Sequence, residues 1–229
     1  MQKEHNHQGS NLKDIILGGQ DGLVNVLGVI LGVAAATFNT KIIIVAGLAA
    51  AFAESISMAA VAYTSTEAAL SHYLLQLKKE EKEIEETPKL EKKEIYDIYY
   101  KKGFRGKILN DIVKKITSNK KVWLETMMAE ELGLLPEEYL KPGKSAFVVG
   151  FSAIVGSLIP LFPFFFLPVK SSIILALALS ALALFITGTI KAKLTIGSEF
   201  RSGLEMLIIG MLAALAGYLI GTLFGNLNF

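Results

Sequence analysis

Five long apolar runs separate the polar parts of this chain. Each contains about 20 residues with at most one charged side chain, the length needed to cross about 30 Å of hydrocarbon. The pattern predicts membrane spans at Ile15–Phe38, Ile42–Tyr63, Phe147–Leu167, Ser171–Ile190 and Leu204–Phe224. We therefore expect an all-α membrane protein with five transmembrane helices.

The segment between the second and third runs has the opposite character. Of 23 Lys and Arg residues, 16 lie between Gln76 and Lys144, together with 14 of 21 Asp and Glu residues. Its pattern continues span two as a polar helix to Glu86, breaks at Pro88 and resumes in short helices, one of them capped by Asn119. The predicted division is a cytosolic tail (1–13), transmembrane helices 1–2 (14–66), a helical cytosolic domain (67–144) and transmembrane helices 3–5 (145–229).

Basic residues set the expected orientation. The loop after span four carries Lys191, Lys193 and Arg201, and loops rich in Lys and Arg remain cytosolic. The N-terminus is then cytosolic as well. In the insert the basic residues alternate with acids and form no patch, so we expect no nucleic-acid partner. The chain has no Cys, which excludes thiolate metal sites and leaves oxygen, nitrogen or thioether ligands.

Small residues and prolines predict how the spans pack. Glycines recur four residues apart in spans one and five, a spacing that lets helices approach closely. Packing within one chain is the favoured interpretation, and a homodimer seam is the alternative. Pro160, Pro163 and Pro168 predict a kink or an unwound end in span three.

One carboxylate in each of the first two spans is the most informative feature. A charge at the centre of a bilayer costs about 2.5–3.5 kcal/mol on insertion scales, so such residues usually have a function. At about 1.5 Å per residue, Asp21 lies at a depth between those of Glu54 and Met58, which share one helical face. Two carboxylates and a thioether at one level suit Fe²⁺ or Mn²⁺. The alternative is a structural role, in which the acids are protonated and hydrogen-bonded within the helix bundle.

The insert contains further pairs of acids at helical spacing. Glu-x-x-Glu pairs on facing helices can bind metal in a helical bundle, whereas a single pair is usually a solvated face with salt bridges. The last predicted helix adds two methionines, for which core packing is the alternative. The candidate ligands are Glu80, Glu83, Glu91, Glu94, Met127, Met128, Glu130 and Glu131.

Three stretches together resemble one family. DIILGGQDGLVN, starting at Asp14, is similar to the first-span signature of the vacuolar iron transporter family. AESISM, starting at Ala53, is similar to its second span, and WLETMMAEELGL, starting at Trp123, to the end of its cytosolic metal-binding domain. The resemblance covers nearly the whole chain, from about Lys13 to Gly225.

The resemblance implies five spans, a homodimer with the pore at the subunit interface, and proton-coupled export of Fe²⁺ and similar divalent ions. The family's pore residues match Asp21 and Met58, and its cytosolic ligands match Glu80, Glu83, Glu91, Glu94, Met127, Met128 and Glu131. Plant-type members carry their second-span glutamate where this chain has Ala50. We expect Glu54, on the same face and one turn closer to the cytosol, to replace it.

The leading hypothesis is therefore a divalent-metal exporter that works by proton antiport and has no permanently bound cofactor. The alternative is a membrane-anchored metal-binding or sensing protein without transport. An enzyme is not expected, because His72 has no evident catalytic partner in the spans. The expected location is the plasma membrane of a prokaryote, or the vacuolar membrane if the source is eukaryotic.

Overall fold

The computed structural model describes residues 3–134, 141–195 and 197–225, and within these ranges the regular structure is helical. Five helices are long and apolar enough to cross a membrane. In chain order the α-helices are α1 (Lys3–Thr37), α2 (Thr40–Glu86), α3 (Pro88–Lys101), α4 (Gly106–Thr117), α5 (Lys120–Thr126), α6 (Pro142–Leu161), α7 (Val169–Leu194) and α8 (Glu199–Phe224). The predicted fold class, an all-α membrane protein with five spans, is confirmed.

The chain divides into two compact units. The first, here called the membrane unit, comprises Met1–Tyr63 and Gly143–Phe229, and the second, the inserted domain, comprises Thr64–Pro142. Helix α2 has 47 residues, about 70 Å at 1.5 Å per residue, which exceeds twice the hydrocarbon thickness. Its apolar first half therefore belongs to the membrane unit and its charged second half to the inserted domain.

Large apolar side chains point outward from the membrane unit. Ile56, Phe147 and Ile174 are each about 70% exposed. In water such surface would be costly, whereas in a bilayer it contacts acyl chains while the helices satisfy their own backbone hydrogen bonds. The first helix begins at Lys3, well before the expected start of the span at Ile15, and its apolar section begins at Asn11.

Glycines bring α1 and α8 into backbone contact. A Cβ added to Gly221 would lie 2.0 Å from the carbonyl oxygen of Gly32, and one added to Gly217 would lie 2.3 Å from that of Gly28. Real Cβ atoms cannot approach so closely, so this crossing requires glycine. The four-residue spacing is used for packing within one chain, as the favoured interpretation predicted.

The end of span three unwinds where the prolines predict it. Helix α6 ends at Leu161, a 3₁₀ turn follows over Phe162–Phe165, and Pro168 then serves as the N-cap of α7. The buried ring of Phe164 joins the core of the membrane unit.

The inserted domain has its own small core. Ile84 of α2, Ile95 of α3, Trp123 of α5 and Met127 pack together. Asn119 caps α5 as predicted, because its side-chain oxygen accepts hydrogen bonds from the backbone N–H groups of the next turn. A π-helix over Met127–Glu131 continues α5, and the sequence analysis did not predict it.

Replacing Gly221 with Ala is expected to destabilise the membrane unit by about 1–3 kcal/mol, because the added methyl group overpacks the α1–α8 crossing. Gly28→Ala is the matched control, since a Cβ there would meet its nearest atom, the carbonyl oxygen of Ala213, at 3.7 Å. Thermal unfolding in detergent, followed by size-exclusion chromatography, compares the variants. Equal melting temperatures would contradict this packing.

Candidate metal centres

Three glutamates from three helical segments meet in the inserted domain. Glu80 lies on α2, Glu91 on α3 and Glu131 at the end of the π-helix. One carboxylate oxygen from each lies within 4.8 Å of the other two. We call these three residues the glutamate triad. Because each glutamate comes from a different segment, the triad forms only when the domain is folded.

The local fold explains why these side chains converge. Glu80 precedes the core residue Ile84 by one helical turn, and Glu91 precedes Ile95 by one turn. Packing Ile84 against Ile95 therefore brings the two glutamates to the same edge of the core. The widened π-helical turn buries Met127 and Met128 and carries Glu131 to the same place.

Two members of the triad are removed from water. Glu80 and Glu91 are each only 3% exposed. The Oε2 atom of each is buried and has no hydrogen-bond partner among the described residues. An ionised carboxylate in this state is strongly destabilising, so the site requires protons or a cation.

Burial and mutual repulsion raise the pKa of all three acids. Loss of hydration, followed by the charge of Glu94, raises the pKa of Glu91 to about 7. The same two causes raise the pKa of Glu131 to about 7. Burial is also the main cause of the raised pKa of Glu80, and the neighbouring Glu83 adds to it. The triad therefore holds protons near neutral pH that a metal ion would displace.

Other predicted ligands surround the triad. Glu94 lies close enough to Glu131, and Glu83 close enough to Glu80, to raise the pKa of those two acids. The Oε1 atom of Glu83 also forms an ion pair with Nζ of Lys79, at 3.6 Å and one helical turn earlier. Met127 and Met128 are buried, with Met127 packed in the core. A thioether ligand would favour divalent transition metals over Mg²⁺ or Ca²⁺, but the described contacts of Met127 are with the core.

Glu130 has a different environment from its neighbour Glu131. Its carboxylate forms an ion pair with Lys102. The structure thus brings Glu131 to the triad and places Glu130 in a salt bridge at the surface. A run of two adjacent glutamates could not distinguish these roles, because the π-helix changes which side chains face inward.

A second group of polar side chains lies in the membrane unit. The side chains of Asp21 on α1 and Glu54 on α2 lie next to each other, as their predicted depths suggested. Both are half-buried, as is Met58, which follows Glu54 by one helical turn. Asn25 completes the group, because its side-chain Nδ2 donates a hydrogen bond to Glu54 Oε2. We call Asp21, Asn25 and Glu54 the membrane cluster.

The sequence that carries both groups has a counterpart in known proteins. Residues 12–222, which contain every member of the glutamate triad and the membrane cluster, match the model of the VIT family. The chain belongs to the VIT family.

Relatives of this VIT-family chain extend the match. Vacuolar iron transporter 1 of Tulipa gesneriana is 34% identical over 208 residues, covering 90% of this chain and 84% of the relative. Vacuolar iron transporter 2 of Oryza sativa subsp. japonica is 33% identical over 221 residues, covering 94% of this chain and 88% of the relative. The vacuolar iron transporter of Plasmodium falciparum is 32% identical over 237 residues, covering 98% of this chain and 86% of the relative.

Asn25 is the residue of this VIT-family chain that the sequence analysis did not single out. A neutral amide in an apolar span gives a weaker signal than a carboxylate, because its cost in the bilayer is smaller. The available signal was its spacing: Asn25 follows Asp21 by four residues, so both lie on one face of α1. That face points toward Glu54.

The stability of the metal-free inserted domain is expected to fall as pH rises from about 4.5 to about 7. In that window the folded triad retains protons that the unfolded chain has released, so a higher pH favours unfolding. Glu91→Gln should flatten this dependence, whereas Glu85→Gln, at an exposed ion pair with Lys120, should not. Fluorescence of Trp123, the single tryptophan, reports unfolding. An unchanged slope in Glu91→Gln would contradict the assignment.

Glu131→Gln is expected to weaken binding of Mn²⁺ to the detergent-solubilised protein by about tenfold or more, because even outer-shell partners of a metal are worth about 10–100-fold. Glu130→Gln should leave the affinity near that of the wild type, since this carboxylate pairs with Lys102. Titration followed by Trp123 fluorescence compares these adjacent substitutions. A larger loss in Glu130→Gln would overturn the assigned roles.

Proposed function

We propose that this protein transports divalent metal, Fe²⁺ and also Mn²⁺, out of the cytosol. The observation that carries the proposal is the proximity of Asp21 and Glu54 within two otherwise apolar spans. Ionisable residues in spans are costly and typically mark ion or proton pathways. The relatives named as vacuolar iron transporters support iron as the cargo.

In this proposal the inserted domain binds metal ions in the cytosol before they are transported. Its triad combines oxygen ligands with raised pKa values, so metal uptake and proton release are linked. The positive-inside rule supports its placement in the cytosol, because the basic residues Lys191, Lys193 and Arg201 flank the connection between α7 and α8. Metal would bind there before it enters the membrane unit.

Proton antiport follows from the chemistry of the membrane cluster. Two neighbouring carboxylates repel each other in an apolar medium, so a proton on one of them stabilises the pair, and a divalent cation bound by both would displace that proton. Each cycle would then exchange protons for metal. Met58, one turn from Glu54, would add a thioether that favours transition metals over Mg²⁺ and Ca²⁺.

A homodimer with the pathway at the subunit interface is part of the same proposal. Asn25 is exposed in the single chain although it lies in a span. A polar group that faces hydrocarbon is unfavourable, and a second copy of the chain over this face would remove that cost. Two membrane clusters would then line one pathway.

Uptake by proteoliposomes tests transport directly. Asp21→Ala and Glu54→Ala should each reduce the initial rate for Fe²⁺ and Mn²⁺ to below about a tenth of the wild-type rate, since metal-site partners are typically worth about 10–100-fold. Glu205→Ala, which removes an exposed acid near the start of α8, is the control and should transport normally. Co²⁺ and Zn²⁺ provide the comparison of metal preference.

The same measurement separates the alternatives. A membrane-anchored sensor would bind Mn²⁺ at the triad, seen by Trp123 fluorescence, without moving it into vesicles. Transport at the wild-type rate in both alanine variants would refute the membrane cluster as the pathway. Uptake that is indifferent to an imposed pH gradient would refute proton coupling while leaving metal transport in place.

A further inference from the structure

Asn25 is the neutral member of the membrane cluster. It lies one helical turn after Asp21 on α1, and its amide donates to the carboxylate of Glu54 on α2. Its neighbours Val26 and Leu27 are fully buried in the core of the membrane unit, so α1 is fixed in rotation at this level. The amide is thus held at a defined position relative to Glu54.

We propose that Asn25 is a positioning residue of the transport pathway, which holds the Glu54 carboxylate beside Asp21 through the hydrogen bond from its amide. This inference rests on the proposed transport function and deepens it. It assigns to Asn25 the task of orienting a ligand, while Asp21 and Glu54 supply the charge that binds the metal.

The chemistry of an amide suits this task. The glutamate side chain has three rotatable bonds, and a hydrogen bond from a fixed neighbour reduces the number of conformations it populates. An asparagine amide has two N–H donors and an oxygen acceptor. Donation to Glu54 therefore leaves the Asn25 amide oxygen as a further oxygen atom on the same face of the pathway.

Charge balance also favours a neutral residue at this position. In each membrane cluster the two carboxylates carry two negative charges, which one divalent cation neutralises. A third acid would leave the loaded site charged in a medium where charge is costly, and a basic residue would repel the cation. An amide orients Glu54 without changing this balance.

A purely structural role is the competing explanation, because Asn side chains also link helices within membranes. Within one chain Asn25 is exposed, so its truncation leaves no cavity in the core of the membrane unit. The two explanations differ in one measurable respect. A positioning residue changes the hydrogen bonding of the Glu54 carboxyl and can be replaced by another amide.

The experiment compares Asn25→Leu with Asn25→Gln in proteoliposomes, with Mn²⁺ as the probe. Leu matches Asn in shape, removes the donor and is favourable in a span. Asn25→Leu should lower the initial rate about tenfold, the typical effect of losing a hydrogen bond to a charged group. Asn25→Gln should recover most of that loss. Thr189→Val, which removes a hydroxyl bonded within α7, is the control expected to match wild type.

Infrared difference spectra, with and without Mn²⁺, supply the second readout. The Glu54 carboxyl band is the one missing in Glu54→Gln. It should shift in Asn25→Leu and return toward its wild-type position in Asn25→Gln. Binding of Mn²⁺ at the glutamate triad, followed by Trp123 fluorescence, should be unchanged, which confirms that the inserted domain is folded. If Asn25→Leu is not recovered folded, Asn25→Ala takes its place with the same expectations.

Three results would overturn the inference: a wild-type rate in Asn25→Leu, a slow rate without a shift of the Glu54 band, or no recovery in Asn25→Gln. Failure of the proposed function is distinguishable, because it is read from Glu54→Gln alone. A wild-type rate in that variant removes Glu54 from the pathway, and the role of Asn25 with it. If Glu54→Gln transports Mn²⁺ slowly while Asn25→Leu transports it at the wild-type rate, only the role of Asn25 is refuted.

Discussion

The cost of holding carboxylates away from water governs both units of this protein. Glu80 and Glu91 are almost fully buried, and Asp21 and Glu54 lie within membrane spans. Ionised acids in such places are tolerated only when a proton, a hydrogen-bond donor or a cation compensates the charge. The arrangement of helices around each group supplies that compensation only in part. We propose that a bound cation supplies the rest.

Helix α2 connects this constraint to the architecture, because it carries a member of each group. Glu54 lies in its apolar half and Glu80 in its charged half, and the helix is continuous between them. The partners come from elsewhere in the chain: Asp21 and Asn25 from α1, and Glu91 and Glu131 from the inserted domain. Each site is therefore completed only by tertiary packing, so neither exists in the unfolded chain.

Much of this arrangement could be predicted from the sequence, for identifiable reasons. The lengths of the apolar runs predicted the five spans. The rise per residue of a helix predicted that Asp21 lies at the depth of Glu54. Glu-x-x-Glu spacing on two helices identified Glu80 and Glu91. The π-helix could not be predicted, because it depends on how Met127 packs against Ile84 and Ile95, and it separates Glu131 from Glu130. Asn25 was missed because a neutral amide gives little signal in composition or charge.

Neighbouring acids on α2 show why the triad is more than a dense patch of charge. Glu81 and Glu85 face Lys120, at 3.0 Å and 2.6 Å, so their charges are compensated within the protein. Glu80 lies beside them in sequence, yet its Oε2 atom and that of Glu91 are buried without a partner in the described part of the chain. A lysine there would stabilise the fold and exclude metal. Protons on these oxygens stabilise the metal-free domain, and a divalent ion can displace them.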